Sequence, residues 1–368
     1  MDSVLSLIIP TYNCIEYLDE TLGSVLPQLP ADFELVLVDD GSDDGTAGKL
    51  AALREGFDAG SKPCSLRDGS AASDDGSKPG SPCDEAVSSN DKSKSVSQYN
   101  VKVVLRGHEG VSSARNAGIE AASGDRIAFM DCDDLLMDGF FNRCREVMKE
   151  QADLYIFGFE RVELTSRQGD VGTIKDPHRD GERDTVNGRT DDQDNVNTER
   201  ACSGEVVTPV TLPDRVYAST SDFADDYVRT RHLLVYSACN KIYKKVLLDE
   251  HGVGFREGLE FGEDRLFNYD YLRHTGGIVT SSAMMFRYMQ RNPDSASKKT
   301  YPDYYETVMM LHKAKMDCFL ALSEGTTEEE KRAFEEYDLA TEIDRMVSRF
   351  DAHPEEKEKN LPLIRRLV

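Results

Sequence analysis

The sequence predicts an α/β fold built on a mostly parallel sheet flanked by helices. Three observations carry this. Short apolar runs such as "LSLII" and "FELVLV" read as strands buried on both faces, each run ends in turn residues, and the segments between them place apolar residues at helical spacing. Strand, turn, helix, strand order is the pattern of βαβ units.

Residues 4–9, "VLSLII", form the first predicted strand. "PTYN" then breaks into "CIEYLDETLGSVL", where Ile15, Leu18, Leu22, Val25 and Leu26 mark one helix face. "FELVLVDD" is the second strand, and "GSDDGTAGKLAAL" starts as a turn and continues as a helix. Residues 56–99 are rich in Gly, Ser, Pro and Asp; they bury too little apolar surface to order themselves and are expected to be a disordered insertion. "VKVVL" resumes the sheet at 101. "GVSSARNAGIEAASGD" reads as a loop and short helix with Ser112 or Ser113 as cap, and the strands "RIAFM" and "ADLYIFGF" follow. Residues 165–215 look like a second mobile insertion. Order is expected again from "FADDYVRTRHLLVYSACNKIYKKVLLDEHGVGF", through the helical "GEDRLFNYDYLRH", to one or two strands in "GIVTSSAMMFRYMQR". The tail from 302 is helical in composition, its acidic run "EGTTEEEKRAFEEYDLATEIDRM" reading as a solvated face.

A net charge of −24 argues against a general binder of nucleic acid or anionic membrane, because both require excess Lys and Arg. No run of about 18 apolar residues occurs and the first residues lack a leader pattern, so the chain reads as cytoplasmic. Eight cysteines without a CxxC pair read as scattered reduced thiols.

Three polar clusters sit where strands end: "PTYN", "DDGS" and "DCDD". In an open parallel sheet ligands gather at that edge, because loops there present side chains without disturbing the ladder. The third cluster is the most demanding, since two carboxylates about 5 Å apart repel by roughly 3 kcal/mol at an effective dielectric near 20. That repulsion invites a cation. Strand alternation would let Asp131 and Asp133 share one face while Cys132 turns away, holding a hard divalent ion against phosphate oxygens. Tyr12 can stack on a base, and Asp39 or Asp40 can accept hydrogen bonds from base or ribose. Turn-forming Asp and Asn at strand ends explain any one cluster alone. Other motifs fail by inspection: Ala51 stands where a calcium loop needs Glu, Asp43 and Leu50 break a phosphate-loop pattern around Lys49, and "GVGFREG" lacks dinucleotide spacing. Arg115 and Asn116 fit either an ordered nucleotide loop or a capped structural helix. None of His108, His232 and His274 is singled out.

The blocks "LSLIIPTYNCIEYLDETLGSVLPQ", "FELVLVDDGSDDGT", "GVSSARNAGIEAASGDRIAFMDCDDLL" and "GEDRLF" resemble the inverting, GT-A-fold glycosyltransferases of family 2. The resemblance is dense over residues 4–55 and 101–160 and looser over 233–295. It implies a Rossmann-like nucleotide-sugar-binding half at 1–160, interrupted by 56–99, then the polar insertion 161–215, an acceptor-binding and catalytic half at 216–300 and a helical extension at 301–368. It further implies that Pro10, Tyr12, Asp39 and Asp40 surround the donor nucleotide, that Asp133 and Asp131 of the DxD motif bind Mn2+ or Mg2+ with Asp131 also near ribose, and that Asp264 is the general base. Glu263 and Asp134 fall to the acceptor side or to support, and Arg291 to the donor diphosphate. "SACNK" stands where many relatives carry an aromatic residue.

The implied reaction moves a sugar from a nucleotide-diphosphate donor, a UDP-sugar by preference, to a saccharide or lipid-linked hydroxyl, as in polysaccharide or cell-envelope glycan synthesis. A lipid-linked acceptor would bring the protein to the inner membrane face as a peripheral partner. Two other readings stand beside it. A sugar-phosphate nucleotidyltransferase shares a similar sheet but carries a Gly-rich, Arg-containing loop where this chain has "PTYNC"; a non-catalytic nucleotide-sugar-binding module would be favoured by loss of Asp133 or Asp264, and both are present.

Overall fold

The computed structural model of the protein describes residues 4–58, 99–164, 205–231, 234–291 and 299–367. Its first half alternates β1 (Leu5–Thr11), α1 (Ile15–Val25), β2 (Phe33–Asp39), α2 (Thr46–Asp58), β3 (Val101–Leu105), α3 (Val111–Ala121) and β4 (Arg126–Phe129). β1 pairs in parallel with β2 and β4, and β2 with β3. Because β1 and β2 are buried along their whole length, their runs are apolar on both sides. Ile8, Val36, Val38, Ile127 and Phe129 face one core beneath α3; Leu7, Ile9, Leu35 and Leu37 face the other, beneath α1 and α2.

Beyond β4 the sheet becomes mixed, which refines the mostly parallel expectation. After β5 (Leu135–Leu136) and α4 (Phe140–Val147) come β6 (Leu154–Leu164), β7 (Glu205–Val210), β8 (Arg215–Tyr217), α5 (Thr220–Thr230), β9 (Lys241–Lys244), α6 (Lys245–His251), α7 (Glu263–Leu272) and β10 (Ile278–Met289). The spatial order is β3-β2-β1-β4-β9-β6-β10-β5, with β7 on β6 and β8 on β10. β9 runs antiparallel between β4 and β6, and β10 lies parallel to β6 with register shifts. "GIVTSSAMMFRYMQR" therefore holds one long strand.

The insertion expected at 56–99 lies outside the described residues from 59 to 98, while 56–58 finish α2. Of the tract at 165–215, residues 165–204 lie outside; 205–210 form β7, because Val206 and Val207 continue the ladder opposite Glu163 and Val162. Cys14, Cys132, Cys144, Cys239 and Cys318 are free thiols, as expected. Among the described residues no helix is long and apolar enough to cross a membrane.

The tail forms α8 (Tyr304–Leu322), α9 (Glu328–Ser348) and α10 (Pro354–Ile364). Thr327 and Glu330 close a capping box at the start of α9. The acidic run of α9 is not purely a solvated face: Phe334, Asp338, Glu342 and Met346, spaced by four, are buried. Asp338 accepts from Lys315 Nζ and lies 2.7 Å from His312 Nδ1, while Glu342 accepts from Arg265 at 2.6 Å and Arg345 at 2.9 Å. Burial raises the Asp338 carboxyl, yet Lys315 and His312 bring it far below the ordinary range. Through these pairs α9 grips α8 and α7. Asp338→Ala strands Lys315 in the interior, so urea unfolding is expected to show a loss of about 3–5 kcal/mol.

Candidate functional site

The parallel register carries the turns after β1, β2 and β4 to one edge of the sheet, because Thr11 lies beside Asp39 and Ile8 beside Phe129. The first two turns are zipped together. Asn13 accepts from Asp43 N–H at 2.9 Å and its own N–H donates to Ser42 Oγ at 2.9 Å; Asp44 and Thr46 accept the N–H groups of Ile15 and Cys14. Asp39 accepts from the N–H groups of Gly41 and Ser42 and from the Ser42 hydroxyl, the last at 2.6 Å. Asp40 accepts from the N–H groups of Glu109 and Gly110 at 3.0 and 2.8 Å, and sits 2.8 Å from His108 Nδ1. Neither Ser112 nor Ser113 caps α3: Gly110, at φ 96°, is its first flanking residue. Pro10 is buried within β1, whereas Tyr12 is 46% exposed and stacks on the His108 ring at 4.1 Å. His108 was missed because its only signal is a contact across the fold.

The acid turn departs from strand geometry. β4 ends at Phe129, and Asp134 N–H bonds the Asp131 carbonyl at 3.2 Å, so 131–134 is a tight turn and the alternation argument fails. Asp134 is 1% exposed; Oδ1 accepts from Met289 N–H at 2.9 Å, and Oδ2 has no partner. Burial and its two acidic neighbours push its pKa well up. Asp133 is likewise pushed up to about 6 by burial and the Asp131 charge. Arg291 reaches this turn, donating to the Asp133 carbonyl at 3.0 Å while pairing with Glu20 and lying 4.8 Å over the Tyr17 ring.

Opposite the acid turn, Gly262 at φ 81° turns the chain into α7, so that Glu263 and Asp264 occupy its first turn, where the helix dipole favours acids. A side chain at 262 would collide with Leu311. Between the two acidic groups stands Arg115, 4% exposed, on α3. Its Nη2 donates to Asp131 at 3.0 Å; its Nη1 donates to Glu263 at 3.0 Å and to Asp264 at 2.8 Å. Phe255 packs under the guanidinium at 5.1 Å. Burial opposes the charge on Arg115, but Asp264 and Asp131 overcome it and raise its pKa. Glu263 is raised by burial and by the Asp264 charge beside it. The second oxygen of Asp264 accepts from Ala238 N–H at 2.9 Å, a contact with no trace in the sequence. Asn116 accepts from Phe255 N–H and donates to its carbonyl, fixing the loop that leads to α7.

These residues suit a hard cation in donor type. Asp131 and Asp133 offer carboxylate oxygens, burial and the Asp131 charge raise the Asp133 carboxyl, and Oδ2 of the neighbouring Asp134 has no partner. Among the described residues no three His, Cys, Asp or Glu converge to cage a metal alone. A magnesium-type ion takes one or two carboxylates and completes its shell with phosphate and water.

Asp133 also makes stability depend on pH. Its folded pKa lies above the unfolded one, so the folded protein binds more protons between about 4 and about 6, and its contribution is lost as pH rises through that window. In chelator-treated protein, the Tm of wild type minus that of Asp133→Asn is expected to fall from pH 4 to pH 6.

The model of the Glycosyl transferase family 2 matches residues 6–68 and 72–252, about two thirds of the chain. The uncharacterized glycosyltransferase EpsJ of Bacillus subtilis (strain 168) is 23% identical over 319 residues, 86% of this chain and 70% of that protein. The uncharacterized glycosyltransferase alr2836 of Nostoc is 30% identical over 145 residues, 39% of this chain and 33% of its own length. Among solved structures, S. aureus TarS 1–349 in complex with UDP-GlcNAc superposes with a TM-score of 0.52 at 18% identity, covering 95% of this chain and 73% of that one. That likeness shows a common GT-A-like fold. With two thirds of its length matched by the family model, the chain belongs to glycosyltransferase family 2.

Proposed function

We propose that the protein is a metal-dependent, inverting glycosyltransferase that moves a sugar from a nucleotide-diphosphate donor to a saccharide or lipid-linked hydroxyl. The observation that carries this reading is Arg115, which holds the acid turn and the Glu263–Asp264 pair around one buried charge. Donor and acceptor chemistry are thereby adjacent. UDP is the favoured nucleotide, because the TarS neighbour binds UDP-GlcNAc and this chain presents the exposed Tyr12 ring beside Asp39 and Asp40. Pro10 shapes that edge from within β1, and Arg291 guards the diphosphate side.

In this reading Asp264 is the general base. Arg115 and Ala238 N–H fix both of its oxygens, leaving lone pairs for the acceptor hydroxyl, whose proton Asp264 takes as the oxygen attacks the anomeric carbon opposite the leaving diphosphate. Glu263, raised toward its neutral form, limits the negative charge beside it on the acceptor side. Asp133 and Asp131 would hold Mn2+ or Mg2+, which would supply positive charge against the diphosphate; Asp134 supports the turn through Met289. With a lipid-linked acceptor the protein works at the inner membrane face.

The test is release of free nucleoside diphosphate from a panel of nucleotide sugars, with Mn2+ or Mg2+, with and without acceptors. Acceptor-dependent release from a UDP-sugar is expected; pyrophosphate release, or tight donor binding without turnover, would sink the proposal. Asp264→Asn is expected to lower kcat by about 10²–10⁴ while sparing metal-dependent donor binding, and an equal loss of both removes Asp264 from the base role. Asp133→Ala is expected to abolish the metal response of donor binding in calorimetry.

A further inference from the structure

Lys241, the first residue of β9, is 2% exposed, yet among the described residues no carboxylate lies within ion-pairing reach of it. Its Nζ donates only to neutral acceptors, the Ser237 carbonyl and Asn240 Oδ1, the latter at 2.8 Å. An ammonium buried without a counter-ion is costly, and such groups are rare unless something depends on them. What depends on this one is the 237–240 turn, whose Ala238 N–H holds Asp264.

That turn is anchored on three sides. Asn240 Nδ2 donates to the Phe157 carbonyl at 3.0 Å, and Phe157 N–H returns a bond to the Asn240 carbonyl at 2.9 Å, tying it to β6. Asn268 of α7 donates to the carbonyls of Tyr236 and Ser237 at 3.1 Å and accepts from the Tyr243 hydroxyl at 2.6 Å. Lys241 closes the remaining side by bridging the two ends of the turn. The titratable groups acting on it are Asp264 of α7 and Cys239 of its own turn; burial raises the Cys239 thiol and keeps it neutral, so Asp264 is the charge that counts.

We propose that Lys241 is a positioning residue for Asp264: it clamps the 237–240 turn that aims the carboxylate. This rests on the reading of Asp264 as the base. Burial lowers the Lys241 ammonium to about 7. Above that pH the neutral amine still has two N–H groups for its two acceptors, so the clamp holds in either charge state.

Two measurements test this. In transfer assays Lys241→Met is expected to lower kcat by about tenfold or more at unchanged donor KM. Asn240→Leu, which removes one acceptor of the clamp, lowers kcat in the same way at unchanged donor KM. A folded Lys241→Met enzyme with wild-type kcat overturns the proposal, as does wild-type kcat in Asn240→Leu should Lys241→Met fail to fold. The second measurement needs no turnover. A lysine whose folded pKa is depressed leaves the folded protein with fewer bound protons than the unfolded chain between about 7 and about 10.4, so its contribution to stability grows with pH across that window. The Tm of wild type minus that of Lys241→Met should therefore increase with pH, and a flat difference overturns the buried unpaired ammonium. An increasing difference in a protein that transfers no sugar would instead defeat the transferase reading alone.

Discussion

One guanidinium organises the molecule. Arg115 touches carboxylates from two regions far apart in sequence, Asp131 at the end of β4 and Glu263 with Asp264 at the start of α7, and no other described residue joins these acids. Three acids around a buried space would repel one another and draw water; one delocalised cation with two forked nitrogens satisfies them in fixed directions. A lysine would offer a single nitrogen to partners on opposite sides. The helix that carries Arg115 is in turn pressed onto β1, where Gly118 allows an approach that a side chain would block against Ile8. The spacing of the acids is thus set by the parallel half of the sheet.

Much of this half was legible in the sequence. Parallel strands buried on both faces write themselves as unbroken apolar runs, and the turns that follow must carry polar residues, so β1, β2, β4 and their shared edge follow from pattern alone. Asp39, Asp40, Asp131, Asp133 and Asp134 stand in or beside those turns, whereas Glu263 and Asp264 open α7. The rest depends on tertiary contact. Whether Asp131 and Asp133 share a face turned on where β4 stops, which a run of apolar residues does not reveal. The stacking of His108 on Tyr12, the Ala238 N–H behind Asp264 and the antiparallel insertion of β9 between β4 and β6 join residues distant in sequence, with no local periodicity to announce them.

The helical tail teaches the same lesson from charge. Its acids look solvated one at a time, and most are. Asp338 and Glu342, however, fall on the stripe of Phe334 and Met346, and at those two positions the spacing was the informative signal. Their partners are Lys315 and His312 of α8, Arg265 of α7 and Arg345 of α9 itself, and Arg265 directly follows Asp264. Buried pairs of this kind add little net stability but penalise any other docking of the helices, because a misplaced acid would lie uncompensated.

The zipped turns after β1 and β2 have a consequence for motion. Asn13, Cys14 and Ile15 close their hydrogen bonds on Ser42, Asp43, Asp44 and Thr46, so neither turn has a complete set of partners of its own. The two segments form one cooperative opening unit: amide protons at 13–15 and at 43 exchange in a single event or stay protected together, and Tyr12 rides on a platform that cannot loosen on one side only.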